Sequence, residues 1–105
     1  MIFKDNVVLN IQPEIAKILP LIDKVHEELD THEAVITSAN DSTHMNGSLH
    51  YKGLAIDIRT RDIHPELVTD LVKAIKLRTN GSVLLNTPYQ VITEVDHIHI
   101  EFDPK

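Results

Sequence analysis

At 105 residues the chain has room for one domain with one hydrophobic core, taken here as residues 1–105, and its 42% hydrophobic and 25% charged residues are the make-up of an ordinary folded protein. It has no cysteine, which excludes disulfides, thiolate metal sites and cysteine nucleophiles and leaves His, Asp and Glu as the side chains able to hold a metal. Its 16 acids against 10 bases, a net charge of −6, argue against nucleic acid as a partner and against an anionic lipid surface, and no apolar run approaches the ~20 residues of a membrane span.

The opening Met1-Ile-Phe-Lys-Asp-Asn has no basic stretch followed by an apolar one, so a Sec-type signal is not expected. From Asn10 to Asp30 the spacing of Ile15, Ile18, Leu19, Ile22, Val25 and Leu29 predicts a helix with one apolar stripe. Pro13 suits its first turn, and Pro20 should kink it or split it in two. Residues 34–38 read as a short strand. Residues 39–53, rich in Asn, Asp, Ser and His with two Gly, read as a long loop, and a loop of that length in so small a domain is usually functional. Leu54–Arg59 alternates strictly: Leu54, Ile56 and Ile58 face one way, Ala55, Asp57 and Arg59 the other. Pro65 to about Arg78 reads as a second helix closed by Asn80-Gly81. Ser82–Asn86, Gln90–Glu94 and His97–Phe102 then read as three strands. Strands grouped apart from helices predict an α+β domain, a mostly antiparallel sheet with helices on one face.

Seven histidines in such a chain are many, and three stand beside notable acids and glycines. If Ile56 and Ile58 face the core, Asp57 lies on the open face of the sheet. His99 alternates against Ile98 and Ile100 in the last strand and can share that face. His50, at the end of the long loop, can fold back over it through the turn at Gly53. Two imidazoles and a carboxylate with a water in the fourth position make a catalytic zinc arrangement. A carboxylate must then take the proton of that water, and Asp96 is the natural candidate. Three residues from His99, it would point to the other face of a regular strand, so it is expected in the turn or at a bulge.

Ser48, His50, Gly53, Ala55 and Asp57, in the pattern Ser-x-His-x-x-Gly-x-Ala-x-Asp, followed by Asp96 and His99 as Asp-x-x-His, resemble the zinc peptidases that include the D-Ala-D-Ala carboxypeptidases and dipeptidases and the phage L-alanyl-D-glutamate endolysins, which share a fold with the Hedgehog signalling domain. The resemblance covers residues 34–102. It implies His50, Asp57 and His99 as ligands of zinc (Zn²⁺), Asp96 as general base, His97 as a histidine assisting near the metal, and Ser48 and Gly53 as supporting residues, Ser48 close to the substrate. Such relatives commonly carry an arginine after the first strand. Here that segment is Thr37-Ser-Ala-Asn-Asp41, so that Asn40, Lys52 or Arg59 takes over its part, or catalysis is weakened, or specificity differs. The implied function is a zinc-dependent peptidoglycan peptidase acting on a stem or cross-link peptide with D-amino acids. It would be a monomer, made in the cytoplasm and acting at the cell wall after release or as part of a phage particle. The competing readings are a zinc-binding structural or interaction module of the same fold without catalysis, and a metal-free interaction domain. Away from this constellation, His44 reads as a loop residue, His64 as a helix start, and His26 and His32 as surface residues.

Overall fold

In the computed structural model, residues 1–4, 11–38 and 53–104 are described. The apolar stripe predicted over residues 10–30 is carried by two helices, α1 (Pro13–Ala16) and α2 (Leu19–Glu28). The break falls where Pro20 requires it. Pro20 has no amide hydrogen to give to a continuing ladder, and it sits in the first turn of α2, where none is needed. Ile15, Ile18, Ile22 and Val25 remain in register across the break and are all buried.

Three of the strands fall where alternation predicts them: β2 (Val35–Ser38), β3 (Ala55–Arg59) and β5 (His97–Phe102). The strand expected at Gln90–Glu94 is β4 (Tyr89–Thr93). Helix α3 (Pro65–Asn80) begins with Pro65 in its first turn and with the His64 ring accepting from the Glu66 backbone N–H at 3.3 Å. It ends at Gly81, whose φ of 85° is the left-handed conformation that closes helices.

Two corrections concern the edges of the sheet. Ser82–Asn86 is not a strand. Its backbone is turned locally: Leu85 N–H donates to the Ser82 carbonyl, Leu84 N–H to Ser82 Oγ, and the Asn80 side chain donates to the Leu85 carbonyl. With its polar groups satisfied this way, the Val83-Leu84-Leu85 run stays at the surface, Leu84 being 89% exposed. In its place the sheet gains β1 (Ile2–Phe3), which pairs in parallel with β2. Among the described residues the sheet is therefore mixed, five strands in the order β1-β2-β3-β5-β4, with every pairing except β1–β2 antiparallel. The α+β class holds.

The three helices of the described residues cover one face. Ile36, Ile56, Ile58, Val91, Ile98 and Ile100 of the sheet meet Ile15, Ile22 and Val25 of α1 and α2 and Val68, Leu71 and Ile75 of α3 in a single core. Burying each of these side chains contributes roughly 1.5–3 kcal/mol. Because β3 and β5 are adjacent and central, the residues that alternate against Ile56, Ile58, Ile98 and Ile100 are held on the opposite face by the best-packed part of the molecule.

Candidate metal centre

The residues opposite the core isoleucines are Asp57 and Arg59 on β3, and His97, His99 and Glu101 on β5. The antiparallel register sets Asp57 directly across from His99, and Arg59 across from His97. Directly opposed side chains stand ~5 Å apart at Cβ, close enough to meet. His99 Nδ1 lies 2.8 Å from Asp57 Oδ1, and its Nε2 lies 2.9 Å from Glu101 Oε1. Asp57 is only 8% exposed, a buried carboxylate. Burial alone lowers the pKa of His99, but the hydrogen bonds and charges of Asp57 and Glu101 outweigh it and raise the pKa above the usual histidine value.

His97 extends the group toward the β4–β5 turn. Its Nδ1 is 2.7 Å from Asp96 Oδ1 and its Nε2 is 3.7 Å from Asp57 Oδ1. Asp96 lies in the turn just before β5 and not in a strand, so its odd spacing from His99 does not send it to the core. Its carbonyl accepts from Thr60 N–H at 2.9 Å, which anchors the turn to the end of β3. The carboxylate itself is mostly exposed, and the hydrogen bond from His97, helped by the charge of Arg61, holds it below the usual carboxylate range.

Four of the residues singled out in the sequence, Asp57, Asp96, His97 and His99, are thus brought together on one face. His50, Ser48 and Asn40 lie outside the described residues, as do His44 and Lys52. His64 caps α3, as its place before Pro65 suggests. His26 is not a surface residue: it is 1% exposed on the buried side of α2, where the i+4 step from Ile22 puts it on the apolar stripe. Glu101 shares the His97–His99 face, as its alternation predicts; its contact with Nε2 of His99 is the part that the sequence does not signal.

The donor set fits zinc in kind. A ligating imidazole commonly donates its second ring N–H to a carboxylate, which fixes the tautomer. Glu101 is such an acceptor at Nε2 of His99; Nδ1 donates to the Asp57 carboxylate at 2.8 Å and would give up that proton to ligate a metal. Among the described residues no three His, Asp or Glu side chains converge as a complete site; the third expected ligand, His50, is outside them. No family model, curated protein or solved structure matches the chain. Among the described residues no helix is long and apolar enough to cross a membrane.

Proposed function

We propose that the chain is a zinc-dependent peptidoglycan peptidase of the D-Ala-D-Ala peptidase and Hedgehog-like fold. The observation that carries the proposal is the Asp57–His99 pair: two residues from separate motifs, 42 positions apart, with side chains in contact at 2.8 Å. Asp57, His99 and His50 would hold the metal. When bound, zinc supplies an electrophile for the scissile carbonyl and brings the pKa of a neighbouring water toward ~7. Glu101 keeps a proton on Nε2 of His99, so that Nδ1, once deprotonated, would be the nitrogen that holds the metal. Asp96, ionised and exposed at the edge of the group, takes the proton of the attacking water and returns it to the leaving amine. His97 orients Asp96 through its Nδ1 hydrogen bond and presents Nε2 toward the reacting centre. The substrate is a stem or cross-link peptide containing D-amino acids, and cytoplasmic synthesis followed by action at the wall fits that chemistry.

The test is digestion of purified cell walls by the zinc-loaded protein, read as newly released amino groups. Wild type should release them, and Asp96→Asn should lose roughly 10²–10⁴-fold in rate while keeping its zinc. A folded, zinc-loaded wild type that releases none overturns the enzyme and leaves a zinc-binding module without catalysis.

A further inference from the structure

Beside the Asp57–His99 pair, on the same open face, the sheet carries a pocket of about 340 Å³ lined by Lys4, Thr37, Arg59, Arg61, Asp96 and His97. It is built from four adjacent strands. Lys4 follows β1, and its N–H donates to the Ile36 carbonyl at 2.9 Å. Thr37 belongs to β2, Arg59 to β3, and His97, the cross-strand partner of Arg59, to β5. The register of β2 on β3 slips between Ile36 and Ser38, so that two residues of β2 advance against one of β3. Such a bulge re-aims side chains; here Ile36 keeps its place in the core while Thr37 joins the pocket wall, its Oγ1 3.5 Å from the Asp57 carbonyl.

The charge of this pocket runs against that of the protein. In a chain with net charge −6 it gathers three of the ten basic residues. Among the described residues Lys4, Arg59 and Arg61 form no ion pair. Asp96, the acid among the described lining residues, is hydrogen-bonded by His97 and also feels the charge of Arg61. Arg59 and Arg61 act on Asp62 and Asp96 through charge alone, no carboxylate among the described residues bridges any of the three cations, and an anion placed among them is attracted by all three. A guanidinium matches a carboxylate with two parallel hydrogen bonds, the shorter and stronger kind. The volume is at the lower end of ligand pockets, which run from ~300 Å³, and suits one end of a small molecule.

We propose that the Lys4–Arg59–Arg61 pocket binds a carboxylate of the peptide substrate and thereby sets which bond lies over Asp57 and His99. The inference rests on the peptidase reading for the nature of the ligand, while the pocket itself is tested independently of activity. A peptide presents a carboxylate either at its C-terminus or on an acidic side chain; both are the same chemistry to a guanidinium.

The experiment is a two-dimensional NMR titration of protein stripped of metal and dialysed free of chelator, with N-acetyl-D-alanine and N-acetyl-D-alaninamide as probes. The acid should shift the amide resonances of Thr37, Arg59, Arg61 and His97, and the neutral amide should not. Arg59→Gln and Arg61→Gln should each weaken the acid about tenfold, as expected for losing a hydrogen bond to a charged group, and added salt should weaken it further. In the zinc-loaded enzyme Arg59→Gln should raise KM more than it lowers kcat. If amidating the C-terminus of the peptide abolishes that effect, the C-terminus is the source; if it persists, an acidic side chain is. Equal binding of acid and amide, or binding untouched by both substitutions, overturns the carboxylate site even where walls are digested. Arginine-dependent binding of the acid with no wall peptide hydrolysed overturns the peptidase reading and leaves the carboxylate site standing.

Discussion

Glu101 Oε1 stands 2.9 Å from Nε2 of His99, on the side of the ring away from Asp57. The two residues lie two apart on β5 and alternate together against Ile98 and Ile100, so the contact is produced by the strand itself and costs no special loop. It gives His99 a fixed orientation, with one ring nitrogen committed to Glu101 and the other turned to Asp57.

Zinc affinity should therefore depend on a residue that never touches the metal. Wild type should carry a stoichiometric zinc after purification without chelator, and His99→Ala should lose it. Glu101→Ala should keep the fold but bind zinc roughly 10–100-fold more weakly, the usual effect of removing the acceptor behind a ligating histidine. Competition against a chromogenic chelator measures all three. Undiminished affinity in Glu101→Ala would show that the Glu101 contact does not support a metal ligand.

The core prediction separates the two kinds of apolar run in this chain. Ile58 and Ile100 are fully buried between the sheet and the helices, and truncating either to Ala should cost about 2–5 kcal/mol in urea unfolding. Leu84 is also flanked by apolar residues, but it projects from the α3–β4 connection. Leu84→Ala should change stability by no more than about 0.5 kcal/mol. A large loss at Leu84 would mean that this surface is covered in solution.

That contrast also shows how far the sequence is readable. Ile56–Arg59 and His97–Phe102 alternate apolar and polar residues without interruption, and a period of two leaves a strand no other way to bury isoleucine; the common face of Asp57 and His99 follows. Their direct opposition does not, because register depends on which strands become neighbours. Val83-Leu84-Leu85 has strand-like residues, but Ser82 and Asn80 satisfy the backbone locally, a competition of side chain with ladder that hydropathy does not register. Ile2–Phe3 is too short to show a period and becomes a strand only through β2. His26 looks like a surface histidine by residue type, and only its phase relative to Ile22 marks it as buried. The parity of Asp96 with His99, wrong for a regular strand, predicts a turn or a bulge, and it is the turn that the structure shows. The ligand expected at His50, with Ser48 and Asn40, belongs to the segment outside the described residues.

The buried histidine makes the last prediction. His26 donates from Nδ1 to the Ile22 carbonyl at 3.0 Å, within its own helix, while its Nε2 is buried without a hydrogen-bond partner among the described residues. Adding a proton at Nε2 would place a charge in the core, and burial lowers the pKa of His26 below the ordinary value of 6.5, more than the Ile22 hydrogen bond raises it. Above that value the ring is neutral in both folded and unfolded chains, and stability does not depend on it. As pH falls below about 6.5, the unfolded chain takes up the proton first and is favoured, so stability is lost until the folded pKa is reached. The slope for one proton is at most about 1.4 kcal/mol per pH unit. His99, with its raised pKa, acts in the opposite sense, so the measurement is a difference: metal-free wild type against His26→Leu, unfolded in urea at pH 5.0, 6.0 and 7.5. The variant should gain on wild type steadily as the pH is lowered. A constant difference across the series would mean that His26 is protonated equally in both states and that its buried nitrogen finds a partner in solution.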